Sequence, residues 1–178
     1  GGSDQTLFDL NSTSGILTFL TAPNYEKPTD SDSNGIYVVE VTATDDGVPS
    51  KSTSETITVT VTDANDPAVI AQGASVTQTM SEDGSPIAWA IPDINATDED
   101  GGSLTWSLLS GGSGYPGIAT VSGTGSTPTI IYVPDANYTG TDTFTIRVQE
   151  SNGSLITDLD VIVTVLGVND PPFFTTAA

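Results

Sequence analysis

Neither cysteine nor histidine occurs in this chain, and the basic residues number three, Lys27, Lys51 and Arg147. The first absence removes disulfides, thiolate zinc sites and cysteine nucleophiles; the second removes the usual general base and the usual transition-metal ligand. Scattered carboxylates without a paired-carboxylate cleft supply no acid–base machinery, so the chain reads as non-enzymatic. No apolar run reaches the length that spans a bilayer, which argues against membrane insertion. No signal peptide is recognisable, and the chain opens on Gly1, so an internal fragment of a secreted protein is expected. Avoidance of cysteine fits bacterial export, because small secreted eukaryotic domains tend to be rich in disulfides.

Negative charge, by contrast, is plentiful. Twenty-three Asp and Glu against three cations give a formal charge of −20, which repels nucleic acid and anionic lipid alike. So few cations cannot pair with so many carboxylates. The carboxylates are therefore either solvated or gathered around external cations. A hydrophobic content of 36% with 7% aromatics is enough to build compact cores.

Alternation of apolar and polar residues is plain at Thr56–Thr62 (TITVTVT) and Thr143–Val148 (TFTIRV), the pattern of a half-buried strand. Phe144, Ile146 and Val148 share one face; Thr143, Thr145 and Arg147 share the other. Further strands are expected near residues 16–20, 36–44, 75–80, 104–109, 129–133 and 158–166. Clusters of Gly, Pro, Asn and Asp separate them, and helical periodicity is absent, so the fold class is all-β, built of Greek-key β-sandwiches. Trp106 shares its parity with Leu104 and Leu108, which places it in a core together with Trp89; an exposed Trp would instead offer a sugar-stacking platform.

The chain repeats itself. Asp63-Ala64-Asn65-Asp66-Pro67 ends one strand-rich block and Gly167-Val168-Asn169-Asp170-Pro171-Pro172 ends the next, a period of 104 residues from Asn65 to Asn169, the size of one sandwich. Proline lacks the ladder N–H, so each Asn-Asp-Pro stops its strand and begins a linker. The expected organisation is residues 1–66 as the C-terminal part of a domain whose first strands are missing, residues 67–171 as a complete domain, and residues 172–178 as the start of the next. A truncated sandwich has unpaired edges, from which strand exchange or dimerisation is expected.

Acidic groups collect at both linkers in the short Asp-x-Asp and Asn-Asp spacings that present several oxygens to one calcium ion. Around the first are Asp63, Asn65 and Asp66, with Glu26 from the first block and Asp98, Glu99 and Asp100 from the second; Glu150 ends the Thr143–Glu150 strand and joins the set. Crowding four carboxylates without a cation is costly, since two like charges ~4 Å apart repel by about 4 kcal/mol at an effective dielectric of 20. The alternative is that they cap turns and keep the surface soluble. Asp30-Ser31-Asp32-Ser33-Asn34-Gly35 opens like an EF-hand loop. Glu40 falls at loop position 11 rather than 12, however, and residues 36–44 read as a strand where an EF-hand has a helix. A solvated hairpin turn and a free-standing calcium loop on Asp30, Asp32 and Asn34 are the two readings.

Four Asn-x-Ser/Thr triplets, at Asn11, Asn95, Asn137 and Asn152, are assigned no role. The Gly-rich runs Gly111–Gly114 and Ser122–Ser126 read as hairpin loops, since no helix start or Lys follows them.

Residues 7–67 resemble the later part of a cadherin domain through Phe8-Asp9-Leu10, Ser14-Gly15-Ile16-Leu17, Asn24-Tyr25-Glu26, Val41-Thr42-Ala43-Thr44-Asp45 and Asp63-Ala64-Asn65-Asp66-Pro67. Residues 74–174 resemble the cadherin-like tandem repeats of bacterial surface and secreted adhesins through Glu82-Asp83, Asp98-Glu99-Asp100, the stretch from Tyr132 to Phe144, and Asn169-Asp170-Pro171-Pro172. The resemblance implies tandem Ig-like, cadherin-like sandwiches, Ca2+ as the bound ion, neighbouring repeats as partners, and an extracellular or cell-surface location on a bacterium. A second reading is a carbohydrate- or protein-binding module, for a sugar or a homophilic or other surface protein, in a surface adhesin or beside the catalytic domain of a secreted enzyme; it requires an exposed aromatic patch. It also implies that Glu26, Asp63, Asn65, Asp66, Asp98 and Asp100 hold calcium, with Glu150 where the family usually has Asp. Asp45 matches a position that faces a preceding linker. At the second linker Gly167 replaces the first Asp, leaving Glu82 and Asp170 to serve.

Overall fold

β-Branched residues fill the alternating segments, where two heavy atoms on Cβ stiffen the side chain and favour the extended backbone. In the computed structural model, which describes residues 1–112, 114, 116–151 and 155–172, these segments form strands. The triplet at Asn152, Ser113 of the first Gly-rich run and residues 173–178 lie outside the described residues. Among the described residues, regular structure is all β apart from one 3-10 turn, Gln5–Leu7. Among the described residues no helix is long and apolar enough to cross a membrane. The chain divides into two units, residues 1–64 and 65–178.

The first unit holds two hairpins. Strands β1 (Phe8–Leu10) and β2 (Leu17–Phe19) pair antiparallel with Phe8 opposite Phe19. Asn11 turns the chain between them: its Oδ1 accepts the Thr13 and Ser14 N–H groups, both at 3.0 Å, and Gly15 follows at φ +74°, a left-handed position that glycine adopts without strain. Strands β3 (Ile36–Thr44) and β4 (Ser52–Thr60) pair along their whole length. Tyr37 and Val39 are the buried apolar residues here, and Phe19 meets Tyr37 edge-on at 5.1 Å. Residues 1–4 run along β3, with Glu40 N–H to Gly1 O at 2.7 Å and Asp4 N–H to Val38 O at 3.1 Å. The buried Asp4 carboxylate accepts the Val38 and Ser31 N–H groups at 2.7 Å each, and the Val38 bond holds its pKa below the ordinary value.

The second unit is a sandwich with a larger core. Its strands are β5 (Val69–Ile70), β6 (Ser75–Ser81), β7 (Ala96–Thr97), β8 (Leu104–Ser110), β9 (Gly117–Ser122), β10 (Thr129–Pro134), β11 (Gly140–Glu150) and β12 (Ile156–Leu166). One sheet has the order β6-β12-β11-β8, with β6 parallel to β12; β9 pairs with β10 and β5 with β7. Parity decides the core. Phe144, Ile146 and Val148 of β11 are buried, as are Leu159, Val161, Val163 and Val165 of β12, in one cluster with Ile130, Tyr132, Trp106 and Ala96. Each such side chain contributes about 1.5–3 kcal/mol on burial.

Trp106 is 2% exposed and its indole N–H donates to Gly125 O at 2.9 Å; Trp89 packs on the same core and donates to Ile130 O at 3.2 Å. Trp106 is a core residue and offers no sugar platform, whereas Trp89 is half-buried against that core. The strands that alternation did not reveal are β1, β5, β7 and β9. Three of them are only two or three residues long, and β9 opens on Gly117 beside the Gly-rich run, where no period can declare itself.

Two side-chain pairs tie strands together and can be tested. The Tyr132 hydroxyl donates to the buried Asp142 carboxylate at 2.8 Å, and burial pushes the phenol pKa well up, helped by that neighbouring charge. Tyr132→Phe leaves the Asp142 oxygen without its donor and is expected to cost about 1–3 kcal/mol in urea denaturation. On the outer face Arg147 meets its register partner Asp158 through two bonds of 2.7 and 2.9 Å, and the Arg147 hydrogen bond holds the Asp158 carboxyl below its ordinary value. A depressed pKa gives stability that is full above the unfolded value of about 3.9 and lost as pH falls through the folded one. Asp158→Asn is therefore expected to melt below wild type at neutral pH, by no more than about 1 kcal/mol. That gap closes as pH falls through the lowered folded pKa, below which the wild-type carboxyl is itself protonated.

Candidate metal centre

The centre is set up by a short strand pair. β5 begins immediately after Asp66-Pro67-Ala68, and its register with β7 pairs Val69 with Thr97 and Ile70 with Ala96. Continuing that antiparallel register by one residue sets Ala68 against Asp98. Beyond β7 the chain turns through Asp98-Glu99-Asp100-Gly101, with Gly101 N–H to Asp98 O at 3.4 Å and Gly101 at φ +76°. Asp66 N–H then donates to Asp100 Oδ2 at 2.7 Å, joining the linker to the turn.

Glu150 is the last residue of β11 and carries the parity of the core residues Phe144, Ile146 and Val148, so it points inward and is 2% exposed. Its Oε1 accepts the Ala68 N–H and its Oε2 the Asn65 side-chain N–H, each at 2.7 Å. Thr157 Oγ1 donates to the carbonyl oxygen of the same residue, Ala68 O. The linker from Asn65 to Ala68 is thus fastened to the ends of β11 and β12.

The Asp98 carboxylate stands in contrast. Both of its oxygens are buried without a hydrogen-bond partner among the described residues, and so is Oδ1 of Asp100. Arg147 is the one Lys or Arg in residues 65–178, and it is bound to Asp158. An unpaired buried charge costs several kcal/mol, and proteins relieve it by protonation, pairing or metal binding. Bare carboxylate oxygens from two residues of one turn are the donor set that a hard divalent cation takes, at 2.3–2.6 Å for calcium. The residues fit such an ion.

The other expected ligands fall into different surroundings. Glu26 lies in the turn at Asn24, whose Oδ1 accepts the Lys27 N–H at 2.8 Å, and is itself engaged in an interaction. Asp63 is exposed, three residues beyond β4. At the far end of the second unit Glu82 Oε1 accepts Val168 N–H at 2.7 Å while its Oε2 is buried without a partner. A side chain at Gly167 would bring its Cβ to 3.2 Å from the Thr139 methyl and 3.8 Å from Glu82 Oε1. Asp170 is exposed.

In the first unit the acidic groups serve the backbone. Asp30 accepts the Asn34 and Gly35 N–H groups at 2.8 and 3.1 Å, Asp32 accepts the Asn34 amide at 2.8 Å, and Asn34 Oδ1 accepts Ile36 N–H at 2.7 Å. Burial works to raise the Asp30 pKa, but the donors around it prevail and hold it low, whereas the hydrogen bond with Asp30 raises that of Asp32. Asp45 Oδ1 accepts Lys51 N–H at 2.8 Å and Gly47 N–H at 3.2 Å, closing the β3–β4 connection. Sequence reading placed Glu150 with Asn65 at the first linker, but the hydrogen bonds that join it to the Asn65 amide and to Ala68 N–H, 85 and 82 residues away, were not legible in it.

A family model described as bacterial Ig domain matches residues 65–164. Human protocadherin-23 is 39% identical over 69 residues, which cover 39% of this chain and 2% of that protein. Among solved structures, extracellular cadherin domains 1–4 of protocadherin gamma B7 are 21% identical with a TM-score of 0.50, and cover 92% of this chain and 39% of that one. Domains 1–3 of protocadherin gamma C5 are 17% identical with a TM-score of 0.50, covering 89% and 51%. The likeness to these two structures is one of fold. The chain spans a small part of the curated relative and no more than about half of these structures.

Neutralising a carboxylate that has no donor removes a penalty. In chelator-treated protein Asp98→Asn is expected to melt above wild type, by on the order of 1 kcal/mol in stability. A lower melting temperature in scanning calorimetry would show that Asp98 is satisfied without a metal.

Proposed function

Because the chain belongs to the bacterial Ig domain family, we propose that it is a calcium-binding structural and adhesion module of a bacterial extracellular repeat protein, without catalytic activity. The repeats meet at the Asn-Asp-Pro linkers. Calcium held at the first linker restrains it and stiffens a string of repeats on the cell surface. The observation that carries this reading is the Asp98 carboxylate, buried with both oxygens bare. Asp98, Asp100, Asp66 and the side-chain oxygen of Asn65 would hold the ion. Glu26 and Asp63 join them on the strength of the cadherin resemblance. The ion supplies the positive charge that this chain lacks, and no other chemistry is asked of it.

Extracellular calcium modules bind at about 10⁻⁴–10⁻³ M, so such a linker is loaded outside a cell and largely empty in cytosol. The second linker, with glycine in place of one carboxylate, is the weaker candidate through Glu82 and Asp170.

Protein binding is a second reading with an observation of its own. Ile118, Ile131 and Val133 are 54–58% exposed and share the outer face of the β9–β10 pair, where Val133 stands opposite Ile118. A surface protein, homophilic or otherwise, would find an apolar contact there.

Calorimetric titration of calcium into stripped protein tests the first reading. A dissociation constant in the range above is expected, together with about 2.7 kcal/mol of added stability at a hundredfold excess over that constant. Asp98→Asn and Asp63→Ala should each weaken binding tenfold or more. Absence of heat and of any rise in melting temperature would overturn it.

A further inference from the structure

Glu150 carries the same charge as Asp98, sits in the same part of the fold and is more deeply buried, yet its environment is the opposite. Each of its oxygens faces an N–H donor at 2.7 Å, whereas those of Asp98 face none. We propose that Glu150 is a positioning residue for the calcium site and not one of its ligands; this rests on the calcium reading above.

The chemistry of the donors makes the argument. An ionised carboxylate has no hydrogen to give, so the Asn65 amide must turn its NH2 group toward Glu150. The planar amide then directs its carbonyl oxygen the other way, and an oxygen is what a calcium ion takes. Glu150 in this way selects the useful face of Asn65. The second oxygen acts on the backbone: by holding Ala68 N–H it fixes the residue that enters β5, and the β5–β7 register carries that constraint to Asp98. Glu150 itself is held at the end of β11, whose ladder with β12 runs from Gly140 to Gln149. One side chain on a rigid strand therefore sets both the linker and, through β5, the ligand turn.

A ligand and a positioning group respond with opposite sign when the metal is absent. Removing charge from a bare ligand relieves repulsion, while removing it from a group that accepts two N–H bonds leaves a donor unmet. In chelator-treated whole chain, Glu150→Gln should melt a few degrees below wild type and Asp98→Asn above it. In calcium titration Glu150→Gln should weaken binding severalfold at unchanged stoichiometry. The doubly substituted Glu150→Gln, Asn65→Ala protein should lose less affinity than the two single losses combined, because one of the two routes by which Glu150 acts runs through Asn65. A merely structural role would leave the affinity unmoved, and so would overturn the proposal. A Glu150→Gln protein that melts higher without metal, with losses that add to those of Asn65→Ala, would make Glu150 a ligand. Asn65→Asp provides the check should Glu150→Gln fail to fold. It places a carboxylate against Glu150, so positioning predicts weaker calcium binding, whereas an independent site would gain affinity from the added charge. Wild type that takes up no calcium overturns the calcium reading itself, and this inference with it.

Discussion

The second unit must keep the carboxylate oxygens of Asp98 and Asp100 out of water with no cation of its own to meet them. Its single basic residue, Arg147, is paired across strands with Asp158, and among the described residues hydrogen-bond donors reach only one oxygen of the two residues, Asp100 Oδ2. At an effective dielectric of 20 each pair of such charges within ~4 Å costs about 4 kcal/mol. A domain is stable by only about 5–15 kcal/mol in total. A divalent ion bound there, as proposed above, would supply the missing charge.

The rest of the sandwich can be understood as the frame for that turn. β11 does two things with one parity: Phe144, Ile146 and Val148 fill the core, and Glu150, next in the same row, emerges at the end of the strand beneath the linker. β7 is only two residues long, but pairing with β5 suffices to bring the Asp98–Asp100 turn against the segment that follows Asn65. Rigidity comes from the long central ladder, while the proposed ligands sit on the short elements at its end. Sites that depend on distances of tenths of an ångström are best supported in this way.

Carboxylates of one chain thus divide into two populations that composition cannot separate. Asp4, Asp30, Asp45 and Glu150 accept backbone or amide N–H groups and shape the chain around themselves. Asp98, one oxygen of Asp100 and one of Glu82 accept no hydrogen bond among the described residues. The loop at Asp30 shows the first use in a sequence spaced like a calcium loop: the Asn34 and Gly35 N–H groups each meet one Asp30 oxygen and hold a tight turn.

Much of this could be read directly along the chain. Alternation at Thr56–Thr62 and Thr143–Val148 determined strands and the faces they bury, because side chains on an extended backbone must point to opposite sides in turn. The recurring Asn-Asp-Pro marked where each run of strands ends, since proline cannot continue a ladder. The absence of histidine and cysteine, with a charge of −20, narrowed the chemistry to oxygen ligands and hard cations. Only the tertiary structure decided which carboxylates are bare. Asn65 and Glu150 are separated by 85 residues, and Asp66 and Asp100 by 34; strand register alone brings them together. A carboxylate's state depends on the donors within about 3 Å of it, a distance that sequence spacing does not encode once the chain has crossed from one sheet to the other.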